Sequence, residues 1–310
     1  MSQPALAVVV PVFNEERGLP ELYRRLNPAL EGVGLPYEVI CIDDGSQDRS
    51  LDVLREIHKK NFRWKVISLS RNFGHASACT AGLDHAKADA IVLLDADLQD
   101  PPELIPELVR KWREGFEVVY GFRTKRKETY FRQLLIRGFY RTLGIFSDFP
   151  LPKQSGSFSL LDRRVVEALR KLPERHRYLT GLRSWVGFRQ VGVPYERQER
   201  WASVPGQTLP KLFGLAADAI FSFSIIPLRI ATLFGVFLAL VSFGLGLNIL
   251  YEKLFTNKPI VGWTSTMLAI LTTAGMILMT LGVIGEYIGR IYNEIKHRPH
   301  YIVSGTLGFD

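Results

Sequence analysis

The chain has 310 residues, 47% of them hydrophobic, and a formal net charge of +8 at pH 7, so it can form one large or two modest domains with a buried core. Its two cysteines, Cys41 and Cys79, stand alone, which excludes a disulfide framework and indicates a reducing compartment. No nucleic-acid-binding motif accompanies the positive charge, so a membrane surface is the better candidate partner, with an ordinary solvated basic face as the alternative. The candidate lipid contacts are Arg163, Arg164, Arg170, Lys171, Arg175 and Arg177.

Strands are predicted at four segments rich in Val, Ile and Leu: LAVVVPVF, YEVICIDDGS, WKVISLSRN and AIVLLDAD. Segments with helical spacing lie between them, for example over 16–30 and 50–58. Alternating strands and helices predict an α/β fold with a doubly wound, mostly parallel sheet. No signal peptide is predicted before the first strand, so this domain is expected to stay in the cytoplasm.

Each of these predicted strands is followed by polar residues. Ligands of parallel α/β sheets bind beyond the carboxyl ends of the strands, so we expect these side chains at one edge. Helix capping, for example by Asp48 and Ser50, is the alternative, but capping does not require acidic residues at three strand ends. The polar residues are Asn14 and Glu15 after the first strand, Asp43 and Asp44 after the second, Arg71 and Asn72 after the third, and Asp95 and Asp97 after the fourth.

The pair Asp95 and Asp97 is a candidate metal site. The sequence contains neither G-x-G-x-x-G nor G-x-x-x-x-G-K-[ST], the two motifs that bind phosphates through backbone amides. A site that binds phosphates without these motifs commonly uses a divalent cation, and two carboxylates in a D-x-D motif are suitable ligands for Mg²⁺ or Mn²⁺. The motif is frequent by chance, so its context decides its meaning.

Two long uncharged segments predict a transmembrane hairpin. Residues 230–251 and 259–285 contain no charged side chain, and each segment exceeds the roughly 20 residues that cross a bilayer. Buried helices of a soluble protein are the alternative, although these segments have no polar face to present to water. We expect the two transmembrane helices at about 229–251 and 263–287.

Basic residues flank the outer ends of the hairpin, whereas its connecting loop carries little charge. This asymmetry predicts that both termini face the cytoplasm. The basic residues concerned are Arg229, Arg290, Lys296 and Arg298. The expected organisation is a cytoplasmic domain over 1–210, an interfacial amphipathic helix over 211–228, two transmembrane helices within 229–290, and a cytoplasmic tail over 291–310. Packing against the cytoplasmic domain is the alternative for the amphipathic segment.

Four motifs occur in a specific order: VVVPVFNEE, CIDDGSQDRS, SRNFGHASACTAGLDHA and LLDADLQDPPE. Together with FSFSIIPLRIATLFG and EYIGRIYNEIKHRPHYIV, they make nearly the whole chain resemble the family 2 glycosyltransferases of GT-A fold. Within that family the chain is similar to the GtrB-like polyprenyl-phosphate glucosyltransferases of bacteria and, more distantly, to the dolichyl-phosphate mannose synthases. The resemblance implies an inverting enzyme that moves a hexose, with UDP-glucose the favoured donor, onto undecaprenyl phosphate at the cytoplasmic face of the inner membrane.

The resemblance also implies roles for individual residues. Asp95 and Asp97 would bind Mg²⁺ or Mn²⁺ and take part in catalysis, together with the position of Ser157, where the family has an acid. The nucleotide sugar is expected to contact Pro11, Glu15, Asp43, Asp44, Arg71, Asn72 and Gln99. The acceptor phosphate is expected to contact Arg123, Arg132 and Arg200.

The basic segment 123–141 could attract the acceptor phosphate and close over the donor, and a solvated helix face is its alternative interpretation. Some positions depart from the family pattern, however. Ser157 replaces an acid that is often proposed as the base, Thr180 replaces an arginine, Ala76 replaces a glutamine, and 203–207 replaces G-x-[ST]-K-Y. Up to two cations are therefore missing from the expected phosphate site.

Three classes of function stay open at this point. The first is an active transferase that makes a polyprenyl-phosphate sugar. The second is a membrane-anchored protein of the same fold that binds or assembles but has lost turnover. The third is a processive polysaccharide synthase, but RQERW has Arg197 where Q-x-x-R-W requires glutamine, and two membrane helices make a poor channel. The oligomeric state is also open, and a homo-oligomer is compatible with the sequence.

Overall fold

The computed structural model describes residues 4–123, 155–174, 177–196, 226–255 and 262–309. These residues fall into two compact units. The first contains the described residues up to 196 together with 298–309, and the second contains those between 226 and 297. The chain therefore leaves the first unit and later returns to it.

The first unit begins with regularly alternating strands and helices, as the sequence predicts. In chain order these are β1 (Leu6–Val12), α1 (Leu19–Glu31), β2 (Tyr37–Asp43), α2 (Ser50–Lys60), β3 (Trp64–Leu69), α3 (His75–His85), β4 (Ala90–Leu93), a 3-10 turn (Pro102–Leu104) and α4 (Ile105–Arg113). The other elements that the structure describes in this unit are β5 (Val118–Arg123), β6 (Ser155–Asp162), α5 (Arg163–Arg170), α6 (Leu179–Trp185), β7 (Gln190–Tyr195) and β8 (Val303–Leu307).

All of these strands join one eight-stranded sheet in the order β7-β5-β6-β4-β1-β2-β3-β8. The pairs β4–β1, β1–β2 and β2–β3 are parallel, and β7 is parallel to β5. Strand β6 runs antiparallel to both β4 and β5, and β8 runs antiparallel to β3. The predicted fold class, an α/β GT-A sheet that is mostly parallel, is confirmed.

The central strands are apolar because helices cover both faces of the sheet. Every residue of β1 and β2 is buried. Helix α1 places buried leucines at 19, 22, 26 and 30, a spacing that directs one face of the helix to the core. Helix α3 packs closely on β1 through Gly82, where an added Cβ would lie 2.1 Å from Cγ1 of Val9.

Helix α1 begins later than the periodicity predicts, at Leu19 instead of residue 16. The reason is a set of hydrogen bonds from the loop before it. The backbone N–H of Glu15 donates to Oγ of Ser50 at 2.8 Å, and that of Glu16 donates to Oδ2 of Asp48 at 3.2 Å. These residues therefore belong to the loop that follows β1 and not to the helix.

Strand β8 lies in the segment 291–310, which the sequence analysis assigned to a tail. Its residues pair with β3, for example Val66 with Leu307, so the segment completes an edge of the sheet. An unpaired edge strand exposes a row of backbone N–H and C=O groups, and this pairing satisfies them. The boundaries proposed for the four domains otherwise stay predictions.

The described residues of the second unit form two long helices, α7 (Ile226–Phe255) and α8 (Trp263–Ile295), which contact one another. Both extend beyond the predicted 229–251 and 263–287. Their apolar side chains are largely exposed, including Leu233 at 71% and Met279 at 74%. By length and composition both helices can cross a membrane. Exposed apolar surface along such helices is what a bilayer stabilises.

Candidate active site

The loops after β1 and β2 are connected by direct hydrogen bonds. The backbone N–H of Asn14 donates to Oγ of Ser46 at 3.1 Å, and Oδ1 of Asn14 accepts from the N–H of Gln47 at 2.8 Å. Asn14 adopts a left-handed conformation with φ of 55°, which asparagine tolerates better than most residues. Pro11 is buried in β1, and Glu15 is partly exposed in the loop that follows. These bonds hold the first two strand ends together.

Asp44 organises the loop that follows β3. Its carboxylate accepts hydrogen bonds from the backbone N–H groups of Phe73 at 2.7 Å and Gly74 at 2.9 Å. Burial raises the pKa of Asp44 because it disfavours the charged form, although the two N–H donors lower it. Asp43 is also buried, and one of its oxygens accepts from the N–H of Ser46 at 3.3 Å. Contact of either carboxylate with a nucleotide stays a prediction.

Arg71 and Asn72 are exposed on the loop after β3. The guanidinium of Arg71 lies 4.0 Å above the ring of Phe73 and donates to the backbone oxygen of Asn72 at 2.9 Å. The loop after β3 packs closely against the end of β2 at Gly45. A Cβ added to Gly45 would lie 2.6 Å from the carbonyl carbon of Arg71, so a larger residue would not fit. The backbone of Arg71 is thereby held close to the end of β2.

Asp95 follows β4 and is contacted from two sides. Its Oδ1 lies 2.8 Å from Nε2 of His75, and its Oδ2 accepts from Oγ of Ser157 at 3.0 Å. Sγ of Cys79 lies 3.8 Å from both ring nitrogens of His75. The contacts with Cys79 and Asp95 raise the pKa of His75 above its usual range, which favours the imidazolium beside the carboxylate.

Asp97 lies in a tight turn. Its Oδ1 accepts from the N–H of Gln99 at 3.1 Å, and the intervening Leu98 has a φ of 58°. The turn ends at Asp100, which is fully buried and accepts a hydrogen bond from the hydroxyl of Tyr195 on β7. A buried contact with β7, at one edge of the sheet, therefore anchors the end of the turn that carries Asp97.

The structure brings Asp95 together with Ser157 but describes only part of the expected acceptor site. Arg132, Arg200 and 203–207 lie outside the described residues, as do 211–225 of the expected interfacial helix. The described part of Arg123 is its backbone at the end of β5. Contact of these arginines with an acceptor stays a prediction.

A buried cation lies near the departures from the family pattern. Arg183 is 3% exposed, and its guanidinium donates to the backbone oxygen of Gly156 at 3.4 Å. Its side chain lines a small cavity that Thr180 and Ser157 also line. Burial lowers the pKa of Arg183 to about 10, so it stays charged at neutral pH. Thr180 was predictable from the sequence as a position that lacks a cation, whereas the arginine one turn further along α6 was not.

Ala76, the other departure on a described element, lies on α3 directly after His75, and its backbone oxygen accepts from Oγ1 of Thr80 at 2.8 Å. Sequence reasoning also missed His75, although the motif SRNFGHASA contains it. Its position could have indicated a role, because His75 lies in the first turn of a helix that follows the polar end of a strand. The described residues contain no group of three or more His, Cys, Asp or Glu side chains placed to hold a metal ion by themselves.

The basic residues of α5 and the following loop were candidate lipid contacts because of the net charge. Arg170 donates to the backbone oxygens of Asp84 at 3.2 Å and Ala86 at 2.7 Å, so its guanidinium stabilises the fold. Arg177 likewise donates to the backbone oxygen of Leu169 at 3.2 Å. These two arginines are committed to internal carbonyl groups and are poor candidates for a membrane surface.

Comparison with known proteins identifies the family. Residues 7–170 match Glycosyl transferase family 2, and residues 226–291 match the GtrB C-terminal hairpin. The chain is 46% identical over 305 residues to the uncharacterized glycosyltransferase YkcC of Bacillus subtilis, covering 98% of this chain and 94% of that protein. It is 38% identical over 300 residues to the bactoprenol glucosyl transferase of Shigella phage SfV, covering 96% and 98%.

Among solved structures, the fold is similar to that of glucosyl-3-phosphoglycerate synthase from Mycobacterium tuberculosis in complex with Mn²⁺, UDP-glucose and glycerol 3-phosphate. The sequence identity is 20%, the TM-score is 0.49, and the match covers 70% of this chain and 78% of that one. The family assignment rests on the sequence matches over both units. The chain belongs to glycosyl transferase family 2, carries the GtrB C-terminal hairpin, and is a glycosyltransferase.

Proposed function

We propose that the protein transfers a hexose, glucose from UDP-glucose, to a polyprenyl phosphate such as undecaprenyl phosphate. One observation carries this proposal. The same chain has carboxylates at the edge of a glycosyltransferase sheet and two apolar helices whose side chains are exposed. A lipid acceptor explains why a transferase needs such helices, because its hydrocarbon chain stays in the bilayer. The relative from Shigella phage SfV, which is named a bactoprenol glucosyl transferase, supports this acceptor and this sugar.

The donor half of the proposal includes a divalent cation held by Asp95 and Asp97. These carboxylates are partly exposed and follow β4. They lie at the same edge of the sheet as the carboxyl ends of β1, β2 and β3. This pair of carboxylates fits Mg²⁺ or Mn²⁺. These cations bind proteins through one or two carboxylates and complete their coordination shell with substrate phosphates and water. The bound cation would neutralise charge on the departing diphosphate.

The chain's own residues would orient the donor. Asn14 and Asp44 fix the loops that surround the edge, and the exposed guanidinium of Arg71 is available for a nucleotide phosphate. In the proposed reaction an oxygen of the lipid phosphate forms a bond to the anomeric carbon from one face. The bond from that carbon to the diphosphate oxygen breaks on the opposite face, so the configuration is inverted and UDP leaves with the electron pair.

The acceptor needs little help from a base. A phosphate monoester has its second pKa near 6, so at neutral pH it is mostly dianionic. Ser157 stands where the family has an acid, and its hydroxyl donates to Asp95. We therefore assign no proton transfer to position 157.

A protein that has lost turnover is the second candidate. The observation in its favour is the serine at position 157, together with threonine at 180. The buried guanidinium of Arg183 beside these residues weakens this alternative, because positive charge is present near the departures. Release of UDP by the purified protein would separate the two candidates.

The test is a product analysis. Purified full-length protein in detergent is incubated with a panel of nucleotide sugars, undecaprenyl phosphate, and Mg²⁺ or Mn²⁺, and the lipid products are identified by mass spectrometry. We expect a polyprenyl-phosphate hexose, formed best from UDP-glucose and absent when EDTA is added. UDP-glucose binding without any lipid product from any donor would favour the candidate that lacks turnover.

A further inference from the structure

The carboxylate of Asp95 is held by donors from two separate elements. His75 approaches from the first turn of α3, and Ser157 approaches from β6, with the contacts of 2.8 Å and 3.0 Å described above. Each contact uses a different oxygen of the carboxylate, so both its position and its rotation are restrained. A carboxylate oxygen has two lone pairs, and each oxygen can therefore accept one hydrogen bond and still coordinate a cation.

The position of His75 is itself fixed by another strand end. Gly74, directly before it, has a φ of 95°, and its N–H is bound by the carboxylate of Asp44 at 2.9 Å. Asp44 follows β2, so contacts extend from β2 through the start of α3 to Asp95 after β4. The remaining contact, from Ser157, reaches Asp95 from β6, which is the antiparallel neighbour of β4. Contacts from β2 and β6 thus determine the orientation of the Asp95 carboxylate at the end of β4.

The chemistry of position 157 limits what it can do. A serine hydroxyl is a hydrogen-bond donor to a carboxylate and a poor base at neutral pH. An acid at this position would place its oxygens against Oδ2 of Asp95, since Oγ of Ser157 already lies 3.0 Å from that atom. Two carboxylates at such a distance resist being ionised together unless a cation lies between them. Serine replaces that repulsion with an attractive contact.

We propose, on the basis of the function proposed above, that Ser157 and His75 are positioning residues. Together they hold Asp95 in the orientation in which it binds the divalent cation of the donor complex. Neither residue acts on the sugar or on the acceptor phosphate. In this chain the hydroxyl of Ser157 therefore contributes through cation affinity and not through proton transfer.

The test measures cation affinity apart from sugar transfer. Purified full-length protein in detergent is titrated with Mn²⁺ in the presence of UDP, and free Mn²⁺ is measured by electron paramagnetic resonance. We expect Ser157→Ala to weaken Mn²⁺ binding about tenfold, as removal of a group that orients a metal ligand commonly does. Ser157→Thr, which keeps the hydroxyl, should restore most of the affinity, and His75→Ala should weaken it as Ser157→Ala does.

The matched control is Ser159→Ala, two residues along β6. Ser159 is fully buried, and its hydroxyl donates to the backbone oxygen of Ser157 at 2.9 Å and not to Asp95. The variant Ser159→Ala reports the effect of losing a buried hydroxyl from the same strand. We expect the Mn²⁺ affinity of this variant to stay close to that of the unaltered protein. Equal weakening by Ser157→Ala and Ser159→Ala would overturn the proposal.

Turnover gives a second readout. If Ser157 positions a metal ligand, saturating Mn²⁺ restores glucosyl transfer to Ser157→Ala. Turnover that stays low at saturating Mn²⁺ would place the hydroxyl on a substrate and contradict the proposal, as would Mn²⁺ affinity that no variant changes. The proposed function fails separately: in that case the unaltered protein makes no lipid-linked sugar, whereas the order of Mn²⁺ affinities still holds.

Discussion

The two carboxylates of the D-x-D motif differ in what surrounds them. Asp95 is contacted by side chains of α3 and β6, whereas Asp97 accepts a hydrogen bond from the backbone of its own turn. Substitution of Asp95 would therefore disturb neighbouring elements as well as a bound cation. Asp97, whose carboxylate is bound within its own turn, is the position at which we test the cation.

We expect Asp97→Ala to abolish the dependence of nucleotide binding on Mg²⁺ or Mn²⁺. The residue is partly exposed, so the free energy of unfolding should change by less than about 1 kcal/mol. UDP affinity measured calorimetrically with and without Mg²⁺ checks the prediction. Asp52→Ala, which removes an acid that is 60% exposed on α2, is the control and should leave both affinities unchanged. A metal effect that persists in Asp97→Ala would contradict the assignment of Asp97 as a ligand.

A second prediction at this scale concerns the buried end of the same turn. Tyr195→Phe removes the donor to the carboxylate of Asp100, which is 0% exposed. We expect the free energy of unfolding to fall by about 1–3 kcal/mol, because a buried carboxylate loses a hydrogen bond. Chemical denaturation measures the change. Tyr23→Phe, which keeps the ring contact with Trp64 at 5.3 Å between centroids, should change stability little, and an equal effect would refute the explanation.

Residues such as Asp95 and Asp97 could be proposed from the sequence because a strand and its polar end are adjacent along the chain. His75 and Ser157 could not be linked to Asp95 in this way. They lie 20 and 62 residues from it, and the pairing of β6 with β4 brings Ser157 close. Contacts across a sheet depend on strand order, which the local pattern of apolar residues does not encode.

At the scale of elements, β1 to β4 were predictable because each is a continuous apolar segment bounded by turns. Strand β8 was not, since VSGTL is short and polar and follows a transmembrane segment. Its stability comes from β3, whose edge it covers, and from contacts next to the strand. The hydroxyl of Tyr301 donates to Oδ2 of Asp84 at 3.0 Å, and the ring of Phe309 lies 5.9 Å from that of His85.

Removal of residues 301–310 should therefore expose the edge of β3. We expect a lower midpoint of thermal unfolding, by about 4 °C or more, and concentration-dependent association of the truncated protein. Differential scanning fluorimetry and light scattering in detergent measure both effects. Ser304→Ala removes a single exposed hydrogen bond to the backbone oxygen of Ser68 and serves as the control. A truncated protein that stays monodisperse and equally stable would show that β8 contributes nothing.

Tyr301 also gives a prediction about pH. Burial and the neighbouring carboxylate of Asp84 raise the pKa of Tyr301, because both disfavour the phenolate. In the unfolded chain a tyrosine loses its proton near pH 10, whereas the folded protein retains it to higher pH. Stability from this group is therefore complete below about pH 10 and is lost as the pH rises further. Tyr301→Phe should reduce the fall in unfolding free energy between pH 9 and pH 11, measured by urea denaturation, and an unchanged slope would argue against it.

At the scale of the whole molecule, the hairpin could be predicted because transmembrane segments need only length and a lack of charge. The exposed apolar surfaces of α7 and α8 agree with that prediction, and residues 226–291 match the GtrB hairpin. The orientation of the hairpin rests on the basic residues at its outer ends alone. We propose a multi-pass protein of the cell inner membrane with both termini in the cytoplasm.

Cysteine labelling in intact cells tests this topology. A cysteine at Asn257, which lies between the two helices in sequence and outside the described residues, should react with a membrane-impermeant maleimide added from outside. A cysteine at Ser304, exposed on β8, should react only after the membrane is broken. The native Cys41 and Cys79 are buried and should give little background. The reverse pattern would place the termini outside.

The order of elements along the chain has a consequence for biosynthesis. A ribosome releases β1 to β7 before the hairpin, and β8 only after it. During synthesis the edge of β3 therefore stays unpaired until both membrane helices have been made. A chain that terminates before the end of the hairpin therefore lacks this final strand. Completion of the sheet at β8 thus requires that the anchor has already been made.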